Sequence, residues 1–199
     1  MRKRGINIMK NVATFEKVSI EEFKRMMSDL YPDYYFADEE IEKMYGTVKI
    51  PSRATIDSAG YDIVTPFAFD ICPGEKVFIP TGLRVDIHNK ECALFIFPKS
   101  RNVKNSIRLS NTLALVDADY YCSDNEGHIM IALEMPVDWK RGLRSATFGK
   151  SSTRIEPRPF HYEAGQGIAQ GVFIEFGKTT TDEQDEKEVR NGGYGSTGN

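Results

Sequence analysis

The last ten residues of this 199-residue chain carry its densest group of side chains suited to a phosphorylated ligand. Arg190 is followed by four glycines, one aromatic ring and two hydroxyls, with no aliphatic residue to fix the segment in a core. Glycines admit positive φ and close backbone approach. Backbone N–H groups and the hydroxyls of Ser196 and Thr197 suit phosphate oxygens, the Tyr194 ring suits a base, and a guanidinium grips a terminal phosphate with two hydrogen bonds. Residues 190–199 therefore fit a lid that closes on a nucleotide, although taken alone they are more typical of a frayed, exposed terminus.

Such a lid needs a scaffold, and residues 47–176 show the period of two that is typical of β-strands. In the run LRVDI at residues 83–87, apolar and polar side chains alternate, which predicts one buried face and one wet face. Further short apolar runs predict strands at residues 77–79, 93–97, 113–116, 129–133 and 171–176. Many short strands joined by turns that contain Gly or Pro indicate an all-β barrel or jelly roll.

Residues 18–45 have a helical period instead. Ser19 followed by Glu22 is the signature of a capping box. Pro32 ends the first predicted helix, and a second one is predicted at residues 38–46, where a glycine stops it. Apolar side chains recur at the spacing of an amphipathic helix at Ile20, Phe23, Met27 and Leu30.

The chain is accordingly predicted to have three parts. Residues 1–46 form a helical N-terminal extension, residues 47–176 form the β-barrel domain, and residues 177–199 form a tether that ends in the glycine-rich lid. The tether is rich in Thr, Asp, Glu and Lys, a composition that favours flexibility.

Bulk composition narrows the function classes. The formal net charge of −3 offers no polycation, so we do not expect nucleic-acid binding as the main function. The three cysteines are odd in number and form no CxxC pair, and the sequence shows neither a signal-like nor a membrane-length apolar run. We therefore expect a cytoplasmic protein with reduced thiols and no membrane association.

Five short motifs occur in an order that is found in a known family. They are SAGYDI at residues 58–63, PKSR at 98–101, a stretch from Asn111 that ends in LVDADY at 115–120, GQGIAQ at 165–170, and the tail from Arg190. Each motif is weak alone, but five in this order with a β pattern between them are specific. The chain resembles a trimeric dUTPase of the bacterial and phage type with an N-terminal helical extension.

This resemblance implies a mainly β structure. We expect a dUTPase-like jelly-roll β-barrel with a short α-helical N-terminal extension and a flexible C-terminal lid. It also implies a dUTP diphosphatase that hydrolyses dUTP to dUMP and pyrophosphate by Mg²⁺-assisted attack of water on the α-phosphate. Family members are homotrimers in which each site is built from three subunits, and the expected ligand is dUTP.

The resemblance also implies catalytic roles. The family's general base stands at the position of Asp117, where a carboxylate takes a proton from the attacking water. Gln170 is expected to orient that water or a phosphate. Asp62 resembles the carboxylate that helps to hold Mg²⁺ through water. Tyr120 stands where the family places a ring under the deoxyribose, which leaves no room for a 2′-hydroxyl.

The resemblance further implies which residues recognise the base and the phosphates. A hairpin backbone around residues 111–117 is expected to read the polar edge of uracil, so that the amine of cytosine would leave buried groups unpaired. This uracil slot is assigned to Asn111, Leu115 and Val116, with Met130 completing it. Phosphate and lid contacts are assigned to Lys99, Ser100, Arg101, Arg190, Tyr194, Gly195, Ser196 and Thr197.

Three features depart from the family pattern. Lys99 stands where most members have arginine, so a point charge replaces a planar fork. Gly167 stands where an arginine is usual. Residues 121–126 lengthen the loop after Tyr120. These departures concern phosphate contacts more than the reaction.

Two alternative functions stay open at this point. A dCTP deaminase-like nucleotide enzyme shares the fold, but its glutamate-centred signature is not evident around residues 117–120. A nucleotide-gated regulatory binder of a repressor would use the N-terminal helices and the 121–126 loop.

Overall fold

The structure of the protein, a computed structural model, describes residues 11–136 and 159–181. Within these ranges the chain is mainly β, with eleven strands, two α-helices and two short 3₁₀ helices. The helices are α1 (Ile20–Leu30) and α2 (Asp38–Gly46), and the 3₁₀ helices are Ser100–Asn105 and Ala118–Cys122. The strands are β1 (Ala13–Lys17), β2 (Tyr61–Val64), β3 (Phe69–Ile71), β4 (Lys76–Pro80), β5 (Leu83–Ile87), β6 (Cys92–Pro98), β7 (Arg108–Leu109), β8 (Ala114–Val116), β9 (Met130–Glu134), β10 (Phe160–Tyr162) and β11 (Gly167–Glu175).

The described strands pair into four antiparallel sheets around one apolar core. The largest sheet has the order β2-β11-β6-β8, a second has the order β4-β9-β7, and β1-β5 and β3-β10 form two pairs. Inward-facing side chains of the core include Ile63, Ile79, Leu94, Ile96, Ile131, Leu133 and Ile168. The predicted jelly-roll fold is confirmed, and β4, β5, β6, β8, β9 and β11 overlap the strands predicted from apolar runs.

The turn between β4 and β5 passes from one sheet to another. β4 pairs with β9, whereas β5 pairs with β1. Gly82 in this turn has φ +72°, and a Cβ atom there would lie 2.6 Å from Cγ2 of Val48. Glycine is required on both counts, because the left-handed conformation and the close contact each exclude a side chain.

The N-terminal segment contributes a strand as well as the two helices. β1 pairs with β5 from Ala13 opposite Ile87 to Lys17 opposite Leu83. The Phe15 ring lies 5.6 Å from the rings of both Tyr61 and Phe173, centroid to centroid. β1 was not predicted, because a five-residue strand with one large apolar residue has too little periodicity to be recognised.

Both predicted helices are confirmed, but the capping box is only half right. The Ser19 side chain accepts a hydrogen bond from the Glu22 backbone N–H (3.1 Å), as expected for an N-cap. The reciprocal bond from the Ser19 backbone N–H goes to the carboxylate of Glu126 (2.8 Å) and not to Glu22. Glu22 is instead buried, where it contacts Arg25 and His128.

A second apolar cluster joins the helices to the barrel. It contains Val18, Phe23, Met27 and Ile41. Phe23 is fully buried, and its ring lies 5.7 Å from the Tyr45 ring and beside Gly82. Neither α-helix of the described ranges is long and apolar enough to cross a bilayer.

Replacing Phe23 by alanine tests this junction. Phe23→Ala should lower the free energy of unfolding by about 3–5 kcal/mol, because it leaves a cavity between α1 and the barrel. Tyr35→Ala is the matched control, since Tyr35 is 92% exposed and its loss should change stability by less than about 0.5 kcal/mol. Denaturant titrations at one protein concentration give both values. Equal effects of the two substitutions would show that the cluster does not stabilise the fold.

Candidate active site

Three of the predicted site residues meet at one end of the largest sheet. Asp62 on β2 lies opposite Gln170 on β11. Lys99, which directly follows β6, reaches Asp62 with 2.6 Å between Nζ and Oδ1. All three side chains are partly exposed, so this end of the sheet offers a cation, a carboxylate and an amide to a ligand.

Two glycines make room for this cluster. A Cβ atom on Gly60 would lie 2.9 Å from Oε1 of Gln170, and one on Gly167 would lie 3.0 Å from Cδ and 3.1 Å from Nζ of Lys99. The Lys99 side chain therefore lies directly over Gly167. Lys99 and Gly167 both depart from the family pattern, and the two departures are structurally linked. The lysine occupies the space in which a side chain at position 167 would begin.

The 3₁₀ helix Ser100–Asn105 carries Ser100 and Arg101, both exposed, beside the same cluster. Its anchor is Asn102, which is buried. The Asn102 amide donates to the Ile168 carbonyl (3.1 Å) and accepts from the Tyr162 hydroxyl (3.1 Å). These bonds tie the 3₁₀ helix to β11 through Ile168 and to β10 through Tyr162.

The predicted uracil hairpin lies elsewhere in the molecule. After β7 the chain turns through Thr112, which has φ +65°, and enters β8. The Ser110 N–H donates to the Ala132 carbonyl of β9 (2.8 Å), which places the start of the hairpin beside the strand that begins at Met130. In and after β8, Val116 is buried, while Leu115 and Asp117 are exposed, as is Asn111 in the turn.

Tyr120 follows Asp117 in the 3₁₀ helix Ala118–Cys122 and is only 7% exposed. Its hydroxyl donates to the His128 carbonyl (2.9 Å) and accepts from the Asn125 amide (2.8 Å). The hydroxyl is thus engaged inside the protein.

His128, the partner of Tyr120, is itself fully buried. Its Nε2 accepts from the Gly82 N–H (2.9 Å), so the ring proton is assigned to Nδ1, which lies 3.4 Å from a carboxylate oxygen of Glu22. Burial, together with the nearby Arg25 guanidinium, lowers the pKa of His128 to about 4. Burial also raises the pKa of Glu22. His128 is therefore neutral at neutral pH, in keeping with a nitrogen that accepts a backbone hydrogen bond.

The two groups of site residues lie at opposite ends of β6. Val116 of β8 is opposite Leu94, so Asp117 lies level with Ala93, whereas Lys99 follows the other end of the strand. Six residues of extended strand separate these levels by roughly 20 Å. Within one chain, Asp117 and Tyr120 thus lie far from Asp62, Lys99 and Gln170.

The lid assignments, to Arg190, Tyr194, Gly195, Ser196 and Thr197, fall outside the described residues. Over the ranges that are described, no group of three or more His, Cys, Asp or Glu side chains could hold a metal ion by itself.

Sequence reasoning missed two residues that organise the site, Asn102 and His128. Asn102 comes directly after the PKSR motif, but a buried asparagine has no sequence signal that separates it from an exposed one. His128 is one of three histidines in the chain, and it lies in none of the five motifs. The glycine before it was the available signal, since a glycine beside a polar residue often marks a tight turn.

Comparison with known sequences agrees with the motif order. The sequence profile of the dUTPase family matches residues 47–138. The deoxyuridine 5'-triphosphate nucleotidohydrolase of Lactococcus lactis subsp. lactis is 35% identical over 153 residues, which cover 76% of this chain and 89% of that protein. The protein of the same name from Shewanella piezotolerans is 33% identical over 155 residues, or 75% and 86% of the two chains.

Solved structures share the fold. The crystal structure of the dUTPase from Streptococcus mutans aligns with a TM-score of 0.54 at 24% identity and covers 83% of this chain and 98% of that one. The dUTPase of Staphylococcus bacteriophage 80alpha aligns with a TM-score of 0.55 at 17% identity and covers 93% and 100% of the two chains.

Fold and sequence relatives together define a jelly-roll nucleotide hydrolase. The chain belongs to the dUTPase family. Its activity is that of a dUTP diphosphatase, which converts dUTP to dUMP and pyrophosphate, and the relatives do not favour the dCTP deaminase alternative.

The buried His128 predicts a pH dependence of stability. A histidine in an unfolded chain has a pKa of about 6.5. Between about pH 6.5 and 4, His128 is therefore protonated in the unfolded state but neutral in the folded state. Stability is therefore lost as the pH falls through this window, by about 2 kcal/mol between pH 7 and pH 5.

Glu22, whose pKa is raised, acts in the opposite direction, so the measurement must isolate His128. His128→Gln keeps an acceptor for Gly82 and keeps Glu22, Arg25 and Glu126 around the site. At pH 7 the variant can be less stable than the wild type. Between pH 7 and pH 5 this difference in the free energy of unfolding should shrink or reverse, because only the wild type is destabilised by the protonation of His128. Denaturant titrations at pH 8, 7, 6 and 5 check this. A difference between the two proteins that is constant from pH 8 to 5 would contradict the assignment.

Proposed function

We propose that this dUTP diphosphatase is a homotrimer in which each active site is shared between subunits. The observation that carries this proposal is the separation of roughly 20 Å along β6 between Asp117 and Lys99. Both belong to dUTPase motifs, and one deoxynucleoside triphosphate must reach both kinds of group. In the proposed trimer, Asp117 and the hairpin of one subunit face Asp62, Lys99 and Gln170 of a second, and the lid comes from a third.

Asp117 is the proposed general base. It follows Val116 at the end of β8, and its side chain is exposed. A carboxylate at this place takes a proton from the water that attacks the α-phosphorus, and hydrolysis then releases pyrophosphate. Gln170, on the neighbouring subunit, orients the water or the phosphate.

Uracil is proposed to bind along the outer edge of β8. β8 is the last strand in the order β2-β11-β6-β8, so one of its edges faces away from β6 and presents backbone N–H and C=O groups to a ligand. Such an edge complements the donors and acceptors of uracil, whereas the amine of cytosine would leave buried groups unpaired. Asn111, Leu115 and Met130 form the surroundings of this slot.

Tyr120 is proposed to exclude ribonucleotides. Its ring is held by two hydrogen bonds to the hydroxyl, so it cannot easily move aside for a 2′-hydroxyl group. A rigid ring rejects UTP by a steric clash, which is a route to specificity that needs no additional contact with dUTP.

The end of the sheet near Lys99 is proposed to hold the phosphates. The cations are Lys99 and Arg101. The hydroxyl of Ser100 and the amide of Gln170 are the further polar groups. The dUTPase family generally uses Mg²⁺, and the residues present fit this ion, because Mg²⁺ typically keeps several waters and takes one or two carboxylates plus substrate phosphates. Asp62 would hold it through water, and when bound the ion neutralises phosphate charge.

The glycine-rich tail is proposed to close over the bound nucleotide. Arg190, Ser196 and Thr197 would contact phosphates and Tyr194 with Gly195 would cover the base, which excludes water from the reacting groups. We assign dUTP as the ligand, because the sequence relatives are deoxyuridine 5'-triphosphate nucleotidohydrolases. We do not assign a repressor as a partner.

The base assignment predicts unequal effects at two neighbouring carboxylates. Asp117→Asn keeps the shape but not the basicity, so kcat should fall by roughly 10²–10⁴-fold with little change in ground-state affinity. Asp119→Asn, in the following 3₁₀ helix, is the matched control and should cost much less. Steady-state release of pyrophosphate measures both. Near-normal turnover in Asp117→Asn, or a larger loss in Asp119→Asn, would remove Asp117 from this role.

The shared site predicts complementation between two inactive variants. Asp117→Asn and Gln170→Ala should each be nearly inactive alone. If their chains assort at random in trimers, three quarters of the assemblies are mixed and hold one intact site of three, so an equal mixture should regain about a quarter of wild-type activity.

The complementation experiment mixes the two chains by co-expression or joint refolding and compares them with each variant treated alone. Activity of the mixture that equals the mean of the two variants would mean that each site is contained in one chain. The molecular mass from light scattering reports separately whether the assembly is a trimer.

A further inference from the structure

Tyr120 is held by the loop that follows it. Besides the bonds of its hydroxyl to His128 and Asn125, its carbonyl accepts from both the backbone N–H (3.1 Å) and the hydroxyl of Ser123. These partners all come from residues 123–128. The position of the ring therefore depends on the conformation of this loop, which we call the 123–128 loop.

The 123–128 loop has little freedom to shift without moving Tyr120. Glu126 and Gly127 have φ of +56° and +69°. A Cβ atom on Gly127 would lie 2.8 Å from the Tyr120 carbonyl oxygen and 2.8 Å from the Cα atom of Tyr121. The loop backbone is thus in direct contact with the backbone of the 3₁₀ helix that starts after Asp117.

Glu126 is unusual among these residues, because the left-handed conformation is rarely adopted by residues other than glycine, asparagine or aspartate. Its carboxylate accepts from the Ser19 N–H (2.8 Å) and from the Ser19 hydroxyl (2.5 Å) at the start of α1. Burial alone would raise the pKa of Glu126, but these two hydrogen bonds lower it below the usual value. The N-terminus of α1 therefore stabilises both the charge and the conformation of Glu126.

Two further contacts join the same parts of the chain. Glu22 faces His128 across 3.4 Å in the interior. On the surface, the Tyr121 hydroxyl donates to Glu16 (2.9 Å), and Arg84 packs on the Tyr121 ring with 3.9 Å between Cζ and the centroid. Contacts at three separate points thus connect β1 and the first turn of α1 to the stretch after Asp117.

We propose that residues 16–22 position Tyr120, and with it the start of the 3₁₀ helix at Asp117, through the 123–128 loop. Ser19, Glu126 and His128 are then positioning residues for discrimination between dUTP and UTP. The N-terminal segment, which none of the five dUTPase motifs includes, acquires a role in specificity. This inference rests on the role proposed for Tyr120.

Ser19→Asp separates positioning from helix capping. Aspartate is as good an N-cap as serine, so α1 keeps its cap, but the new carboxylate opposes that of Glu126. Because a displacement on the order of 1 Å can change rates by about 100-fold, we expect the ratio of kcat/KM for dUTP to that for UTP to fall by roughly ten- to hundredfold. Circular dichroism checks that helix content is kept.

Conservative and compensating variants provide the controls. Ser19→Thr keeps the hydroxyl and should keep the ratio. Combining Ser19→Asp with Glu126→Gln restores a donor between the two side chains and should recover most of the ratio. Ser28→Ala, at an exposed serine of α1, should change nothing. If Ser19→Asp does not fold, Glu126→Ala serves in its place, since it removes both bonds and leaves the N-cap bond from Glu22 intact.

Tyr120→Ala is measured alongside. It separates the role of the Tyr120 ring in excluding UTP from the positioning role of residues 16–22. A lower ratio in both Tyr120→Ala and Ser19→Asp, with recovery in the double variant, supports the proposal. An unchanged ratio in Ser19→Asp together with a lower one in Tyr120→Ala would overturn the positioning role alone. An unchanged ratio in both would reject the role of the ring in the proposed function, and the positioning role would fail with it.

Discussion

The antiparallel pairing of β6 with its neighbours β8 and β11 is the constraint on which the rest of the site depends. β6 runs through the core from Cys92 to Pro98, with Leu94 and Ile96 fully buried, so its length and direction are fixed by packing. The backbone geometry of one strand thus sets how far apart Asp117 and Lys99 lie. Side-chain motion cannot close roughly 20 Å, which is why the chemistry that we propose needs more than one copy of the chain.

At the phosphate end, the arrangement depends on two glycines, because their lack of a side chain leaves space for neighbouring residues. Gly167 on β11 leaves the space that the Lys99 side chain occupies on its way to Asp62, and Gly60 leaves the space for the amide of Gln170. A lysine has one charge on a flexible stem, whereas an arginine presents a planar fork. The pairing of Lys99 with Gly167 therefore keeps a cation at this end of the sheet while changing the shape in which it is offered.

Local patterns predicted most of the fold, and contacts distant in sequence account for what they missed. Strand and helix periods reveal buried faces within a few residues, so the alternation in β5 and the N-cap at Ser19 could be predicted. The site residues came from motif order, which identifies positions but not their separation in space. The bond between Ser19 and Glu126 has no local signal, because the partners are 107 positions apart in the sequence. β1 was missed because Phe15 alone gives too weak a pattern.

The same 107-residue separation affects how the chain is made. During synthesis at about 5–20 residues per second, Glu126 emerges roughly 5–20 s after Ser19, and β1 also waits for its partner strand β5. Contacts of such long range form late, because closing a large loop costs conformational entropy before any contact repays it. Phe23 of α1 can pack against Ile41 and Tyr45 soon after these residues emerge, but its contact with Gly82 waits for the turn between β4 and β5, so the apolar face of α1 stays only partly covered until then.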